Sequence, residues 1–168
     1  MPYETVFDVA RDGFGAWWFS ATGLVGIAVG IGMFVYLYRH PDPRRGKYQP
    51  AFAVLIASYS AWWTITSFAS THGEYARMRD ALRAGNFVVV EGVVQNYKPA
   101  SPEGHANEQF DVAGHQYSFS DYEVIAGYHK SRSHGGVIHE GLQVRIAEIG
   151  GQIARLEIQR NEGSAPAP

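Results

Sequence analysis

The chain of 168 residues contains no cysteine. This absence excludes disulfide bonds, zinc sites with thiolate ligands and a cysteine nucleophile. Three motifs are missing as well, namely GxxxxGKS/T, HExxH and GxSxG, which argues against a nucleotide-binding P-loop, a zinc protease and an α/β-hydrolase. An excess of basic residues is also lacking, since residues 87–168 carry six basic and ten acidic side chains. Nucleic acid is therefore not expected as a partner.

Charge is missing altogether from two long stretches, residues 16–38 and 51–70. A helix of 23 residues spans roughly 34 Å, which is enough to cross the hydrocarbon core of a bilayer. Aromatic residues open and close the first stretch, as they do at the two membrane interfaces. The second is less apolar, but its Ser and Thr hydroxyls can bond to helix carbonyls. We therefore predict a transmembrane hairpin at residues 16–70 that contacts the lipid bilayer, preceded by an N-terminal tail at residues 1–15.

Two other interpretations of these stretches carry less weight. A cleaved signal peptide would begin with a basic segment, whereas three acidic residues outnumber Arg11 before residue 16. Buried helices of a soluble protein would need a covering layer, and no other part of the chain could supply it for two helices.

Small residues recur at four-residue spacing in both stretches. Gly26 and Gly30 form a GxxxG pair, and Ala53, Ala57 and Ala61 form a matching ridge. Small side chains let two membrane helices approach closely. These residues are therefore predicted to pack the helices together, and they could also support a homo-oligomer.

The short connection between the stretches has four basic residues between positions 39 and 47. The positive-inside rule places such a loop in the cytoplasm. We therefore expect a two-pass protein of the bacterial cytoplasmic membrane with its C-terminal domain on the periplasmic or extracellular side. Three arginines between positions 77 and 83 oppose this orientation and leave the reverse one open.

Residues 71–85 predict an amphipathic linker helix. Thr71 and Glu74 have the spacing of a capping box. Apolar residues at positions 75, 78 and 82 share one face, and Gly85 suits the end of the helix.

The hydrophobic period changes to two between residues 86 and 160. This pattern predicts a small β-barrel of about five strands, OB-like or SH3-like. Gly150 and Gly151 mark a hairpin turn. The residues predicted to face inward are Val88, Val90, Phe110, Phe119, Val144, Ile146, Leu156 and Ile158. Residues 161–168 have the composition of a disordered tail.

Four segments of this region, EGVVQNYKP, EGHANEQFDVAGHQYSFSDY, HGGVIHEGLQVRI and IARLEI, form a recognisable set. The set resembles an uncharacterised family of small bacterial membrane-anchored proteins with a C-terminal small β-barrel. The resemblance covers residues 91–158 and implies no established activity. The chain departs from the family pattern at residues 99–102 and at Val137, so these loops can differ in conformation. The matching residues are Gly104, His105, Glu108, Phe110, Ser120, Asp121, Tyr122, His134, Gly135, Gly136 and Gly141.

Three histidines, His129, His134 and His139, recur at intervals of five residues. Neither a helix nor a strand brings residues five apart to one face, so a local metal triad is not expected. Side chains from three loops at one end of the barrel are the more plausible site, and His129 and His139 are not predicted to join it. The candidate ligand-binding residues are His105, Glu108, Asp121, Tyr122, His134, Gly135 and Gly136.

Carboxylates and imidazoles in such a cluster could bind a cation such as zinc, but neither a metal nor a cofactor is predicted. A purely structural cluster, in which the polar side chains bond loop backbone and the glycines supply positive φ, is the interpretation that carries more weight.

The leading functional prediction is a membrane-anchored, non-enzymatic module that binds a protein or small-molecule ligand at the barrel loops. The second is an oligomeric membrane pore or effector that is gated by the β-barrel domain. The third is a metal-dependent hydrolase that would use His105, Glu108, Asp121 and His134.

Overall fold

The computed structural model describes residues 2–41, 46, 48–100 and 107–159. Strand β1 (Tyr3–Asp8) leads through a short helix α1 (Val9–Asp12) to the long helices α2 (Trp17–Arg39) and α3 (Gln49–Arg83). The remaining elements are β2 (Val88–Lys98), β3 (Glu108–Val112), β4 (His115–Phe119), a 3₁₀ turn (Arg132–His134), β5 (Gln143–Ile149) and β6 (Gln152–Gln159). They form two compact units, a helical unit (Gly15–Gly73) and a β unit that combines the described residues on either side of it.

Among the described residues, two helices are long and apolar enough to cross a membrane. Many of their large apolar side chains are exposed, including Leu24, Val29, Leu55 and Ile65. The hydroxyl of Thr64 donates to the carbonyl oxygen of Ser60 at 2.8 Å, and several other Ser and Thr residues of α3 bond back to the helix in the same way. The hydroxyls of Thr64, Thr66, Ser67 and Ser70 in the second apolar stretch are therefore satisfied within their own helix.

Glycines of α2 lie against small residues of α3. A Cβ atom added to Gly30 would meet the backbone nitrogen and Cα of Ala57 at 2.7 and 2.9 Å. One added to Gly26 would collide with the side chain of Ser60. Ala53 is fully buried. These contacts involve three of the predicted packing residues, Gly26, Gly30 and Ala57.

The packing ridge on α3 differs in part from the predicted one. Gly23 was absent from the prediction, yet a Cβ atom there would collide with Thr64. Contacts opposite Gly30, Gly26 and Gly23 therefore fall on Ala57, Ser60 and Thr64. The ridge steps by three residues and then by four, because a helix has 3.6 residues per turn rather than four.

The C-terminal part of α3 belongs to the β unit. The linker predicted at residues 71–85 is not a separate helix, because the helix that begins at Gln49 continues without interruption to Arg83. The hydroxyl of Thr71 bonds the carbonyl oxygen of Ser67 at 2.8 Å instead of capping a new helix. The predicted apolar face is nevertheless present, since Tyr75, Met78 and Leu82 are buried in one cluster.

Helix α3 ends in a Schellman motif. Gly85 has a φ of 77°, its N–H donates to Leu82, and the N–H of Asn86 donates to Ala81 at 2.9 Å.

The β unit is a six-stranded antiparallel sheet of order β1-β6-β5-β2-β3-β4. Strand β2 serves two neighbours, because residues 88–93 pair with β5 and residues 94–98 pair with β3. No pairing of β1 with β4 closes the sheet among the described residues. The all-β architecture is therefore confirmed as an open sheet among the described residues, and the small closed or half-closed barrel of OB-like or SH3-like type stays a prediction.

The additional strand, β1, comes from the predicted N-terminal tail, which is a second correction. Residues 3–8, YETVFD, do not alternate strictly, but Tyr3, Thr5, Val6 and Phe7 are residue types that favour strands. They pair with β6 from Gln159 to Arg155. A barrel of the five predicted strands would close by pairing β6 with β4. Strand β1 instead pairs with that edge of β6.

The core of the sheet contains most of the residues predicted to face inward. Val90, Phe110, Phe119, Val144, Ile146 and Leu156 are all buried in one cluster. Val88 is an error of the prediction, because 56% of it is exposed at the start of β2. Ile158 is only partly buried against the cluster. The hairpin turn between β5 and β6 is present, and Gly150 and Gly151 both have positive φ, as a type I′ turn requires. The predicted tail at residues 161–168 lies outside the described residues.

Candidate functional site

The candidate site lies where β3 begins and β4 ends. These strands pair antiparallel, with Glu108 opposite Phe119. The start of β3 and the chain just after β4 are therefore neighbours, which brings Glu108 and Asp121 to the same end of the sheet. The long connection from β4 to β5 returns over this end and forms the 3₁₀ turn at residues 132–134.

Both carboxylates accept hydrogen bonds from the backbone of that turn. The N–H of Ser131 donates to Oδ1 of Asp121 at 2.8 Å. The N–H of Arg132 donates to Oε2 of Glu108 at 3.0 Å. The Nδ1 atom of His134 lies 3.0 Å from the second oxygen of Asp121. Glu108, Asp121 and His134 are thus brought together by one turn of the backbone.

The pKa values of Asp121 and Glu108 are shifted in opposite directions. Burial alone would raise the pKa of Asp121, but the hydrogen bonds from Ser131 and the neighbouring His134 hold it below its ordinary value. Burial raises the pKa of Glu108, and the Arg132 N–H opposes this only in part. Glu108 is 1% exposed, and its Oε1 atom completes no hydrogen bond among the described residues. Asp121 is the ionised partner of the turn, and the buried carboxyl of Glu108 keeps its proton to a higher pH than a free glutamate does.

The two glycines after His134 have structural roles. Gly135 ends the 3₁₀ turn with a φ of 85°, a conformation that glycine adopts at little cost. A Cβ atom on Gly136 would collide with the carbonyl oxygen of Lys130, and the Gly136 N–H donates to the Ser131 carbonyl at 2.7 Å. The predicted Gly-Gly pair therefore allows the loop to fold back on itself.

Tyr122 and the two histidines that were not predicted to join the site, His129 and His139, make other contacts. His105 falls outside the described residues. The side chain of Tyr122 is 71% exposed, and its backbone N–H lies 3.3 Å from the hydroxyl of Ser120. His139 donates from Nδ1 to the Glu140 carbonyl at 2.9 Å. His129 donates from Nδ1 to the Gly127 carbonyl at 2.8 Å.

A cleft of about 350 Å³ opens beside Asp121. Strand β1 forms one wall, and the loop after β4 forms the other. Its lining residues are Val6, Phe7, Asp121, Tyr128, His129, Lys130 and Gly135. Sequence reasoning missed the wall from β1 because residues 1–15 were assigned to a tail. His129 was excluded by its spacing, yet it lines the same cleft as Asp121.

The arrangement of serines around His134 does not match a catalytic triad. The hydroxyls of Ser131 and Ser133 lie 3.4 and 3.3 Å from Nδ1 of His134, the same nitrogen that contacts Asp121. In a triad the acid and the nucleophile bind opposite ring nitrogens. Within the described ranges no three His, Asp or Glu side chains are placed to hold a metal ion.

The comparisons with known proteins found no relatives. No protein-family model, no curated protein and no solved structure matches the chain.

Proposed function

We propose that the chain is a membrane-anchored, non-enzymatic binding module. Its two apolar helices anchor it in a bacterial cytoplasmic membrane, and its β unit binds a ligand in the cleft between β1 and the loop after β4. The observation that carries the binding role is the cleft itself, which combines apolar side chains with several polar groups, as small-molecule sites do.

The pairing of β1 with β6 supports two membrane crossings. Strand β1 precedes both apolar helices, and β6 follows both. A chain that crosses a bilayer twice returns to the side on which it started, so the two strands can meet. A single crossing would separate them. The exposed apolar side chains of α2 and α3 support the same proposal, since lipid would cover them.

The orientation follows from the charges between the helices. The basic loop between α2 and α3 favours the cytoplasm, which would leave the β unit on the periplasmic or extracellular side. Protease digestion of intact spheroplasts should therefore cleave the β unit. A β unit that is cut only after lysis would reverse the orientation.

Blocking the cleft tests the binding role. Val6→Trp adds bulk to the β1 wall without changing charge, and Val89→Trp is a matched control because Val89 is exposed on β2, outside the cleft lining. We would screen a mixture of small fragments by ligand-observed NMR on the full chain in lipid nanodiscs. Fragments that bind the wild type should lose their signal on Val6→Trp and keep it on Val89→Trp. Binding that is equal on both variants would contradict the proposal.

A further inference from the structure

The cleft is lined by one acidic and one permanently basic side chain, Asp121 and Lys130. Both oxygens of Asp121 have partners, the Ser131 N–H and the His134 ring. Lys130 forms no ion pair with any carboxylate among the described residues. Lys130 is therefore the cation of the cleft that has no carboxylate partner, whereas the Asp121 carboxylate already accepts two hydrogen bonds.

The ammonium group of Lys130 lies at the wall of the cleft. A Cβ atom added to Gly135 would lie 3.5 Å from both Cε and Nζ of Lys130, so the end of this side chain lies over the glycine backbone. Both residues line the cleft. His129, which lines it too, already uses Nδ1 to bond the Gly127 carbonyl. Lys130 is thus the permanent cation that an incoming ligand would meet.

The apolar wall suits a compact, ring-sized group. The rings of Phe7 and Tyr128 pack edge to face with centroids 5.7 Å apart, and Val6 lies beside them in the lining. The hydroxyl of Tyr128 lies 3.3 Å from the backbone nitrogen of Val137 and can accept its hydrogen bond. A volume of about 350 Å³ is at the lower end of the range for small-molecule sites. The cleft therefore fits a small ligand better than a polymer.

We infer that the cleft binds a small organic anion with an apolar, ring-sized body. The anionic group pairs with the Lys130 ammonium, and the body lies against Val6, Phe7 and Tyr128. This inference rests on the proposed binding function and specifies its ligand class.

Three probes with the same body and different head groups test the inference. They are 3-phenylpropionate, 3-phenylpropanamide and 3-phenylpropylammonium, which carry negative, zero and positive charge. Each is titrated by calorimetry into the full chain in nanodiscs of zwitterionic phosphatidylcholine, with empty nanodiscs subtracted. We expect the anion to bind about tenfold more tightly than the amide, since a charge-assisted hydrogen bond is stronger than a neutral one. The ammonium compound should bind most weakly.

Charge-matched variants assign the effect to the cleft. Lys130→Gln should remove the preference for the anion over the amide. Lys98→Gln removes the same charge from β2, away from the cleft, and should preserve that preference. An amide or ammonium compound that binds as tightly as the anion would overturn the inference, and so would an equal loss in both variants.

The outcomes also separate this inference from the proposed function. If none of the three probes binds while other fragments depend on Val6, the ligand class is wrong and the binding function stands. If no fragment depends on Val6, both fail.

Discussion

Replacement of Leu156 by alanine should destabilise the β unit strongly. Leu156 is fully buried in β6, with Phe7 and Ile146 as its neighbours on the adjacent strands. The substitution removes three buried carbon atoms, and at about 0.8 kcal/mol for each the transfer cost is about 2.4 kcal/mol. The cavity left behind adds to this cost, so the total loss should lie between about 2 and 5 kcal/mol.

Val88→Ala is the informative control, because the alternating pattern places both residues in the core. Val88 is instead 56% exposed, and its replacement should change stability by no more than about 0.5 kcal/mol. The comparison therefore tests the tertiary structure rather than the hydrophobicity of the sequence.

Amide hydrogen exchange of the full chain in nanodiscs measures both variants. Since about 1.4 kcal/mol corresponds to a factor of ten, Leu156→Ala should accelerate exchange of the protected β5 and β6 amides by about thirtyfold to several thousandfold. Val88→Ala should change it by about twofold at most. Comparable acceleration in the two variants, or none in Leu156→Ala, would refute the assigned core.

Two further predictions concern the helices and the buried acid. Gly30→Leu should lower the thermal stability of the helical unit in detergent, because any Cβ atom at Gly30 meets Ala57. Gly32→Leu is the control and should have little effect, because nothing lies within 4 Å of a Cβ atom at that position. Equal melting temperatures of the two variants would contradict the packing. Glu108→Gln should be more stable than the wild type at pH 7, and the difference should disappear below about pH 4, as measured by thermal unfolding. The reason is that burial raises the pKa of Glu108 in the folded state. The wild type therefore loses stability as the pH rises from the pKa of the unfolded state through that of the folded state. A stability advantage of Glu108→Gln that is equally large at both pH values would contradict this prediction.

The sequence by itself determined the elements that local pattern can specify. A run of apolar residues without charge is enough to predict a long helix, and α2 (Trp17–Arg39) begins and ends within one residue of its predicted bounds. Alternation likewise predicted the strands and most of their buried positions. Gly85 and Gly150 occur where the backbone needs positive φ, a requirement that a single residue reveals.

Features that depend on distant contacts were decided only by the tertiary structure. Strand β1 pairs with β6 across some 150 residues, and no local signal shows which edge a short strand will join. At the β5–β6 hairpin, Ala147 pairs with Arg155 and Glu148 with Ile153, so Ala154 is an extra residue in the ladder. This bulge places Ala154 in the cluster with α3, although the alternation aligned it with Leu156.

Some residues of the candidate site could be indicated by the sequence, whereas others were placed there only by the tertiary structure. The sequence indicated Glu108, Asp121 and His134 as polar residues in loops, and the antiparallel pairing of β3 with β4 explains why they meet. It could not indicate that Val6 and Phe7 face Lys130 across a cleft. That arrangement requires β1 to lie beside β6, and strand pairing of this kind is determined by the burial of whole sheet faces rather than by the residues of either strand alone.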